Sequence, residues 1–443
     1  MYLLYSFLFS VGALFAAPYY LWRHRGEFED RAWRERLGFL RLNGRSLPAG
    51  GIWIHAVSVG EALSAVPLVQ RLSCTYPGRP ILMSHVTPAG RKVGEQRLPR
   101  VAARFYMPLD WARATRRTLR LVQPSVLIII ETEIWPNLLR VAQENGCRVA
   151  IVNARVSDRS FPRYLSIRPF MKRVLSSVGC FCAQSETDAE RLRQLGAPPE
   201  RIVVTGNLKF DVPPPAASPW ANQLKDALVR LGRRPVWVAA STMPGEEDFL
   251  LDAARKIRER YPRSLWILAP RHPSRFEQVA KLLAGSGIKS ARRTLLGPGT
   301  DEVARQIESA DTLLLDTIGE LPGCLNLADV VLMGGTILPT GGHNLIEPAF
   351  AGKAILLGPH MENFRDVATR FLEARAALQV SKAEAVEPAL LHLLEHPEER
   401  LELGKRARGV LETQRGAADR TLAQLKTWLE PPPNARGTAG SRG

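Results

Sequence analysis

The chain has 443 residues, too many for one ordinary domain, so two or three are expected. Its composition (45% hydrophobic, 23% charged) is globular, and a formal net charge of +17 points to an anionic partner: nucleic acid, anionic lipid or a phosphorylated substrate. No zinc finger, RNA-recognition motif or basic-zipper pattern is present, which weighs against nucleic acid, and none of the five cysteines has zinc-ligand spacing, so core thiols in a reducing compartment are expected.

The first 22 residues, MYLLYSFLFSVGALFAAPYYLW, carry no charged side chain and are about long enough to span a bilayer. Arg23, His24 and Arg25 follow, with Arg31, Arg34 and Arg36 close behind, so the positive-inside rule keeps the bulk of the chain cytoplasmic. Tyr19, Tyr20 and Trp22 suit an interface. A cleaved signal peptide is the competing reading, but the positive n-region is missing. An uncleaved anchor over 1–22 is expected, either membrane-spanning or, given Pro18 and the weak SVGAL middle, shallow and monotopic.

Beyond it, short apolar runs alternate with longer amphipathic ones. Strands are expected at 51–56, 79–85, 102–107, 125–131, 148–153, 179–183 and 201–205. Helices are expected between them, at 61–73, 89–97, 110–122, 135–146, 160–177 and 185–195. This alternation predicts an α/β protein with a parallel sheet covered on both faces, and SVLIIIE reads as a fully buried parallel strand. In CFCAQS, Cys180 and Cys182 are read onto opposite strand faces. The run FDVPPPAASPW (210–220) cannot continue a helix or central strand and reads as a linker, taken as 210–232. A second series follows, with strands at 235–240, 264–269, 312–316, 329–333, 354–357 and 377–380. The expected organisation is an N-terminal Rossmann-like domain (23–209), a C-terminal one (233–396) facing it across a cleft, a helix at 397–430 returning to the first domain, and a disordered tail at 431–443. No GxGxxG, Walker A or HExxH sequence is present, so no dinucleotide cofactor and no metal are expected.

In such sheets ligands sit at the carboxyl ends of strands, and the polar clusters fall there. Glu61 stands where the run GIWIHAVSVG hands over to a helix. Gly60 permits a tight turn, and a helix start favours a carboxylate. Glu61 is therefore either a helix-start charge or a general base. Glu131 ends SVLIIIE, inside ETEIWPN, and Lys209 follows RIVVTG in GNLKFD. Each has an ordinary structural reading alone; three ionisable groups at three strand ends of one sheet suggest one site. In the second half, LAPRHPSR brings Arg271, His272 and Arg275 to a strand-to-helix turn suited to an anion. DTIGE offers the amides of Ile318 and Gly319 to a base or ribose edge. In MGGTILPTGGHNLIEPAFAGK, Gly341 and Gly342 let backbone amides approach a phosphate, a helix opens at about Asn344, and Glu347, one turn in, suits ribose hydroxyls.

The ordered set HAVSVGE, ETEIWPN, VNARVSDRS, GNLKFD, APRHPSR, DTIGE and GGTILPTGGHNLIEP resembles the Kdo (3-deoxy-D-manno-octulosonic acid) transferases of lipopolysaccharide synthesis, over nearly the whole chain except the tail. The resemblance implies an inverting GT-B glycosyltransferase on the cytoplasmic face of the inner membrane that moves Kdo from CMP-Kdo to a lipid A precursor (lipid IVA), without a cofactor. It implies that Glu61 is the proton acceptor and that Glu131 and Lys209 stabilise the transition state. It places CMP contacts at Pro270, Arg271, Ile318, Gly319, Glu320, Asn344, Leu345, Ile346 and Glu347, with Leu345 standing where many relatives carry proline. A phosphorylated acceptor suits the +17 charge and the basic segment 159–173. Two alternatives are another GT-B enzyme using a UDP-sugar (transferase or 2-epimerase) and a non-catalytic, membrane-anchored nucleotide-binding protein.

Overall fold

Val126–Ile130 is a five-residue apolar run with every side chain fully buried, as a strand covered on both faces requires. The computed structural model of the chain describes residues 1–23, 30–40, 48–211 and 218–430 and, within these, all side chains except those of 16–23, 30 and 31. His24, Arg25, the prolines 213–215 and the tail from 431 lie outside the described residues, as do the side chains of Tyr19, Tyr20, Trp22 and Arg31. Two units form, one from Met1–Pro213 with Gln414–Gly443, the other from Pro214–Thr413.

The first unit holds β1 (Gly51–His55), β2 (Ile81–His85), β3 (Ala103–Tyr106), β4 (Pro124–Ile130), β5 (Arg148–Ala154), β6 (Cys180–Ala183) and β7 (Ile202–Val204). They make one parallel sheet in the order β3-β2-β1-β4-β5-β6-β7, with Ile54 opposite Met83 on one side and Ile128 on the other. The chain reverses direction of travel across the sheet between β1 and β4, the switch point at which such sheets bind ligands. One face packs Trp53, Phe105, Leu127, Ile129 and Phe181, with the Trp53 and Phe105 rings 5.3 Å apart. The other packs Ile52, Ile54, Val126 and Ile128 under the helix Ala417–Leu429, whose Ala417, Leu425 and Leu429 are buried there. Cys180 and Cys182 both lie on this second face, their Sγ atoms 3.8 Å apart. The expectation of opposite faces fails because the strand period of two puts residues i and i+2 on one side.

The second unit holds β8 (Val236–Thr242), β9 (Leu265–Pro270), β10 (Ser290–Arg292), β11 (Thr312–Leu314), β12 (Val330–Met333), β13 (Ala354–Leu357) and β14 (Leu378–Gln379), also parallel, in the order β10-β11-β9-β8-β12-β13-β14. Trp237 and Trp266 are register partners on β8 and β9 and stack with their centroids 5.0 Å apart. The edge strand β10 was not anticipated: Ser-Ala-Arg is short, polar and half-exposed, without an apolar period.

Several expected boundaries are corrected. Residues 219–231, assigned to a linker, form a helix with Ser218 as N-cap, Pro219 in its first turn and Gly232 in the left-handed conformation at its end. The segment 160–177 is two helices, Phe161–Ser166 and Arg168–Leu175, because Pro169 has no N–H to continue the first. The expected terminal helix 397–430 is likewise two, Pro397–Gln414 and Ala417–Leu429, parted at Gly416 with φ +90°.

The N-terminal segment is a helix, Tyr2–Arg23, but among the described residues no helix is long and apolar enough to cross a membrane. One side of it docks on the first unit. The Tyr5 hydroxyl donates to the buried Asp110 carboxylate (2.9 Å), Asn137 Nδ2 donates to Ser6 Oγ (3.0 Å) and Trp111 Nε1 to Ser10 Oγ (3.0 Å). The Tyr2 and Tyr5 rings pack on Phe170. Its other side exposes Leu3, Leu4, Phe7, Leu8, Val11, Leu14 and Phe15, with Leu3 88% exposed. The segment expected to be an anchor, spanning or monotopic, is a helix laid against the first unit by its hydroxyl-bearing and aromatic face.

Candidate active site

In the first unit the switch point is lined from β1 and β4. After β1 the chain enters the helix Val59–Thr75 through the N-cap Ser58. Glu61 is the third helical residue, only 7% exposed, and its carboxylate turns back toward the cap. Oε2 accepts the Val57 N–H (2.7 Å), Oε1 accepts the Ser58 hydroxyl (2.9 Å), and Ser58 Oγ in turn accepts the Glu61 N–H (3.4 Å). This is a capping-box arrangement, so the helix-start role of Glu61 is real. Burial nevertheless raises its pKa above the usual carboxylate range; the Glu131 charge adds to this, and the Val57 and Ser58 donors oppose it. The glycine that the geometry requires is not Gly60, where an added Cβ would meet only Ser58 Oγ at 3.9 Å. It is Gly90, where a Cβ would press on the Val57–Ser58 backbone at 3.1 Å.

Glu131 follows β4 with φ +60°, a left-handed conformation that a non-glycine residue adopts at a cost. Its N–H donates to Val152 O, which holds the turn against β5. Its carboxylate pairs with Lys209 Nζ at 3.2 Å, both side chains half-buried. Lys209 lies in a 3-10 turn, Leu208–Asp211, pinned by two buried asparagines: Asn153 Oδ1 accepts the Leu208 N–H and Asn207 Oδ1 the Lys209 N–H, both at 2.9 Å. Gln184 ties the asparagines together through Asn153 O (2.9 Å) and Asn207 Nδ2 (2.8 Å). The structure therefore brings Glu131 and Lys209 into contact, with Glu61 electrostatically coupled to the pair.

A fourth ionisable group escaped the sequence reading. Glu133 is half-buried, and burial together with the charges of Glu61 and Glu131 pushes its pKa up to about 7. Its only sequence signal was a second carboxylate two residues after Glu131. The site thus holds three carboxyl groups and one lysine, and burial raises the pKa of two of the acids, that of Glu133 to about 7.

In the second unit the clusters fall at the carboxyl ends of β9, β11 and β12. Pro270 ends β9, and Arg271, exposed, donates its N–H to Thr242 O (3.0 Å). Arg275 is not available to an anion: it is buried and makes a two-pronged pair with Glu247 at 2.9 and 2.8 Å. His343 takes its place. Its Nε2 is buried without a hydrogen-bond partner among the described residues, and burial with the nearby Arg271 and His272 lowers its pKa to about 4. Two cationic or donor side chains and a neutral, unpaired imidazole thus converge from two strand ends. The loop between them needs its glycines: at Gly342, φ +76°, a Cβ would stand 2.5 Å from Met361 Sδ and 2.8 Å from His360 O.

Asn344 Oδ1 accepts the Ile346 N–H (3.1 Å), and the helix that follows is only Ile346–Phe350, so Glu347 stands in its first turn rather than one turn in. Leu345 and Ile346 are buried in the core, which leaves only their backbone for a ligand. After β11, Ile318 is 79% exposed and Gly319 has φ +88°. The Glu320 carboxylate is occupied by Arg293 Nη2 (2.8 Å) and the Thr317 hydroxyl (2.6 Å). No hydrogen bond among the described residues joins Ile318–Glu320 to Arg271 or His343, and no described group of three or more His, Cys, Asp or Glu is arranged to hold a metal.

Comparison with known proteins bears on this arrangement. The family profile described as 3-Deoxy-D-manno-octulosonic-acid transferase (kdotransferase) matches residues 31–212. The chain is similar to the 3-deoxy-D-manno-octulosonic acid transferase of Haemophilus influenzae, 35% identical over 89% of this chain and 91% of that one. It is similar to the Bordetella pertussis enzyme of the same description, 37% identical over 86% of this chain and 88% of that one. A glycosyltransferase from Rickettsia africae, at 11% identity, shares the two-sheet fold with a TM-score of 0.54 over 87% of this chain and all of its own. With relatives this similar over nearly their full length, and with its sheets ordered as the fold requires, the chain belongs to the 3-deoxy-D-manno-octulosonic acid transferase family of glycosyltransferases.

Proposed function

We propose that the chain transfers Kdo from CMP-Kdo to a phosphorylated lipid A precursor, with inversion, at the cytoplasmic surface of the inner membrane. The observation that carries the assignment of roles is the buried Glu61 carboxylate at the switch point of the first sheet, its pKa raised by burial and by the Glu131 charge. In the reaction an acceptor hydroxyl oxygen bonds to the anomeric carbon of Kdo. The bond from that carbon to the CMP phosphate oxygen breaks, the electron pair leaves with CMP, and Glu61 takes the hydroxyl proton. A raised pKa suits that task, because a stronger base accepts the proton more readily once it is ionised. Lys209, held by Glu131, supplies positive charge for the negatively charged carboxylate of Kdo.

The donor nucleotide falls to the second unit. Arg271, His272 and the unpaired His343 Nε2 suit its phosphate, with the backbone of Ile318–Gly319 and Asn344–Ile346 and the Glu347 carboxylate for the nucleoside. The membrane contact falls to the outward face of the N-terminal helix, which offers seven exposed apolar side chains and suits monotopic insertion to the headgroup boundary. Beside it the helices Phe161–Ser166 and Arg168–Leu175 expose Arg163, Arg168, Lys172 and Arg173 with Leu165 and Ile167. Incubation with CMP-Kdo and a tetraacylated lipid A precursor, followed by product mass, tests the reading. A mass increase by whole Kdo units is expected, and no product with CMP-Kdo but product with a UDP-sugar would overturn it.

A further inference from the structure

Outside both clusters the first unit carries a groove of about 770 Å³ between the segment after the helix Asp30–Arg36 and the helix Ala112–Val122. Its floor is apolar and open to solvent: Leu37 is 39%, Phe39 52% and Leu121 47% exposed. Its rim is cationic, from Arg34, Arg117 and Arg120, and among the described residues no acidic side chain lines it. Arg117 lies over the Phe39 ring at 4.5 Å and braces the segment through Leu37 O. Neither the Arg34 nor the Arg120 side chain has a hydrogen-bond or ion-pair partner among the described residues. One wall, Arg117 to Leu121, lies on a helix that runs back from the carboxyl ends of the strands; the other leaves the helix Asp30–Arg36, whose Arg36 Nη2 donates to Val86 O (2.6 Å) just after β2. A second hollow of about 470 Å³ shares Leu37 and Arg117 and runs on to Tyr2 and Leu3 of the N-terminal helix.

A water-soluble anion has no use for such a floor, and an uncharged apolar ligand none for three arginines. An amphiphile with a phosphate and a hydrocarbon chain uses both, and the volume lies in the range of ligand pockets. We infer that this groove is a binding site for one anionic phospholipid of the bilayer, an acyl chain lying over Leu37, Phe39 and Leu121 and the phosphate held by Arg34 and Arg120. The inference does not depend on the donor or on the catalytic assignment.

The test is native mass spectrometry of the full chain released from neutral micelles, titrated with phosphatidylglycerol, phosphatidylcholine and glycerol phosphate. One saturable phosphatidylglycerol adduct is expected. Its affinity should fall about tenfold or more in Arg34→Glu/Arg120→Glu and in Phe39→Asp/Leu121→Asp, with glycerol phosphate failing to compete. All four positions are exposed, and unchanged thermal melting confirms that the variants fold. Four outcomes overturn the inference: equal affinity for phosphatidylcholine, undiminished binding in the variants, displacement by glycerol phosphate alone, or loss of the adduct on Leu3→Ser/Phe7→Ser. Displacement by a lipid A precursor with the same arginine dependence also overturns it, by making the groove part of the acceptor site.

Discussion

Glu61 caps a helix and is the proposed base, and a single substitution separates the two roles. In Glu61→Gln the amide keeps the size but cannot accept from both the Val57 N–H and the Ser58 hydroxyl, so a stability loss of about 1 kcal/mol is expected from the capping arrangement alone. If the carboxylate is also the base, turnover falls by at least about 100-fold while CMP binding holds. Near-normal turnover, measured where chemistry limits the rate, would leave Glu61 a helix cap. The pH profile gives a second handle. A base must be ionised, so the rate should rise with pH through the raised pKa of Glu61. Glu131→Gln removes the negative charge that helps to raise the Glu61 pKa, so the acid limb should move to lower pH; an unmoved limb would uncouple the two acids. On the nucleotide side, Arg271→Ala and Glu347→Ala should each weaken CMP binding by about 1–3 kcal/mol, and unchanged affinity in both would remove the site. The strand-end positions of Glu61, Glu131 and Arg271 were legible because a parallel sheet puts function at its carboxyl edge. Glu133 and His343 were not: their character comes from burial and from charges elsewhere in the fold. Arg275 misled for the converse reason, its partner Glu247 being 28 residues away in the chain.

The secondary elements show the same division. Apolar runs announced thirteen of the fourteen strands among the described residues, while β10, at the edge of its sheet, carries no such run. The helix Pro219–Leu231 was written plainly, with Ser-Pro at its start and Gly at its end, but the prolines ahead of it drew attention away. In the N-terminal helix, hydroxyls at positions 5, 6 and 10 mark one face, a pattern that a count of charged residues misses. Tyr5→Phe should loosen that helix, because Asp110 loses one of its donors in a buried setting. A cost of about 1–3 kcal/mol is expected, read as faster proteolysis within the first turns. In the second unit the helix Pro397–Gln414 is seated by backbone contact: a Cβ on Gly404 would stand 2.0 Å from Gly352 O. Gly404→Ala should therefore destabilise the unit by about 1–3 kcal/mol or more in thermal melts, and an unshifted transition would show that the helix can lift without penalty.

At the scale of the whole molecule, the proposed membrane contact rests on two separable features, the net charge of +17 and the outward face of the N-terminal helix. Raising salt to about 0.5 M should weaken sedimentation with anionic vesicles through screening, and Leu3→Ser/Phe7→Ser/Leu14→Ser should weaken it further, about tenfold or more, at any salt. Vesicle binding that ignores the triple substitution would assign the membrane contact to charge alone. The helix Ala417–Leu429 has a bearing on how the protein is made. It closes one face of the first sheet, and the Asp211 carboxylate accepts the N–H of Gly416 and of Ala418 at its start. The first unit is therefore split in the gene by the roughly 200 residues of the second. On the ribosome its sheet waits about 10–40 s with that face uncovered. A nascent chain halted before residue 417 should occupy chaperones and pellet, whereas one that has released Leu429 should resist protease.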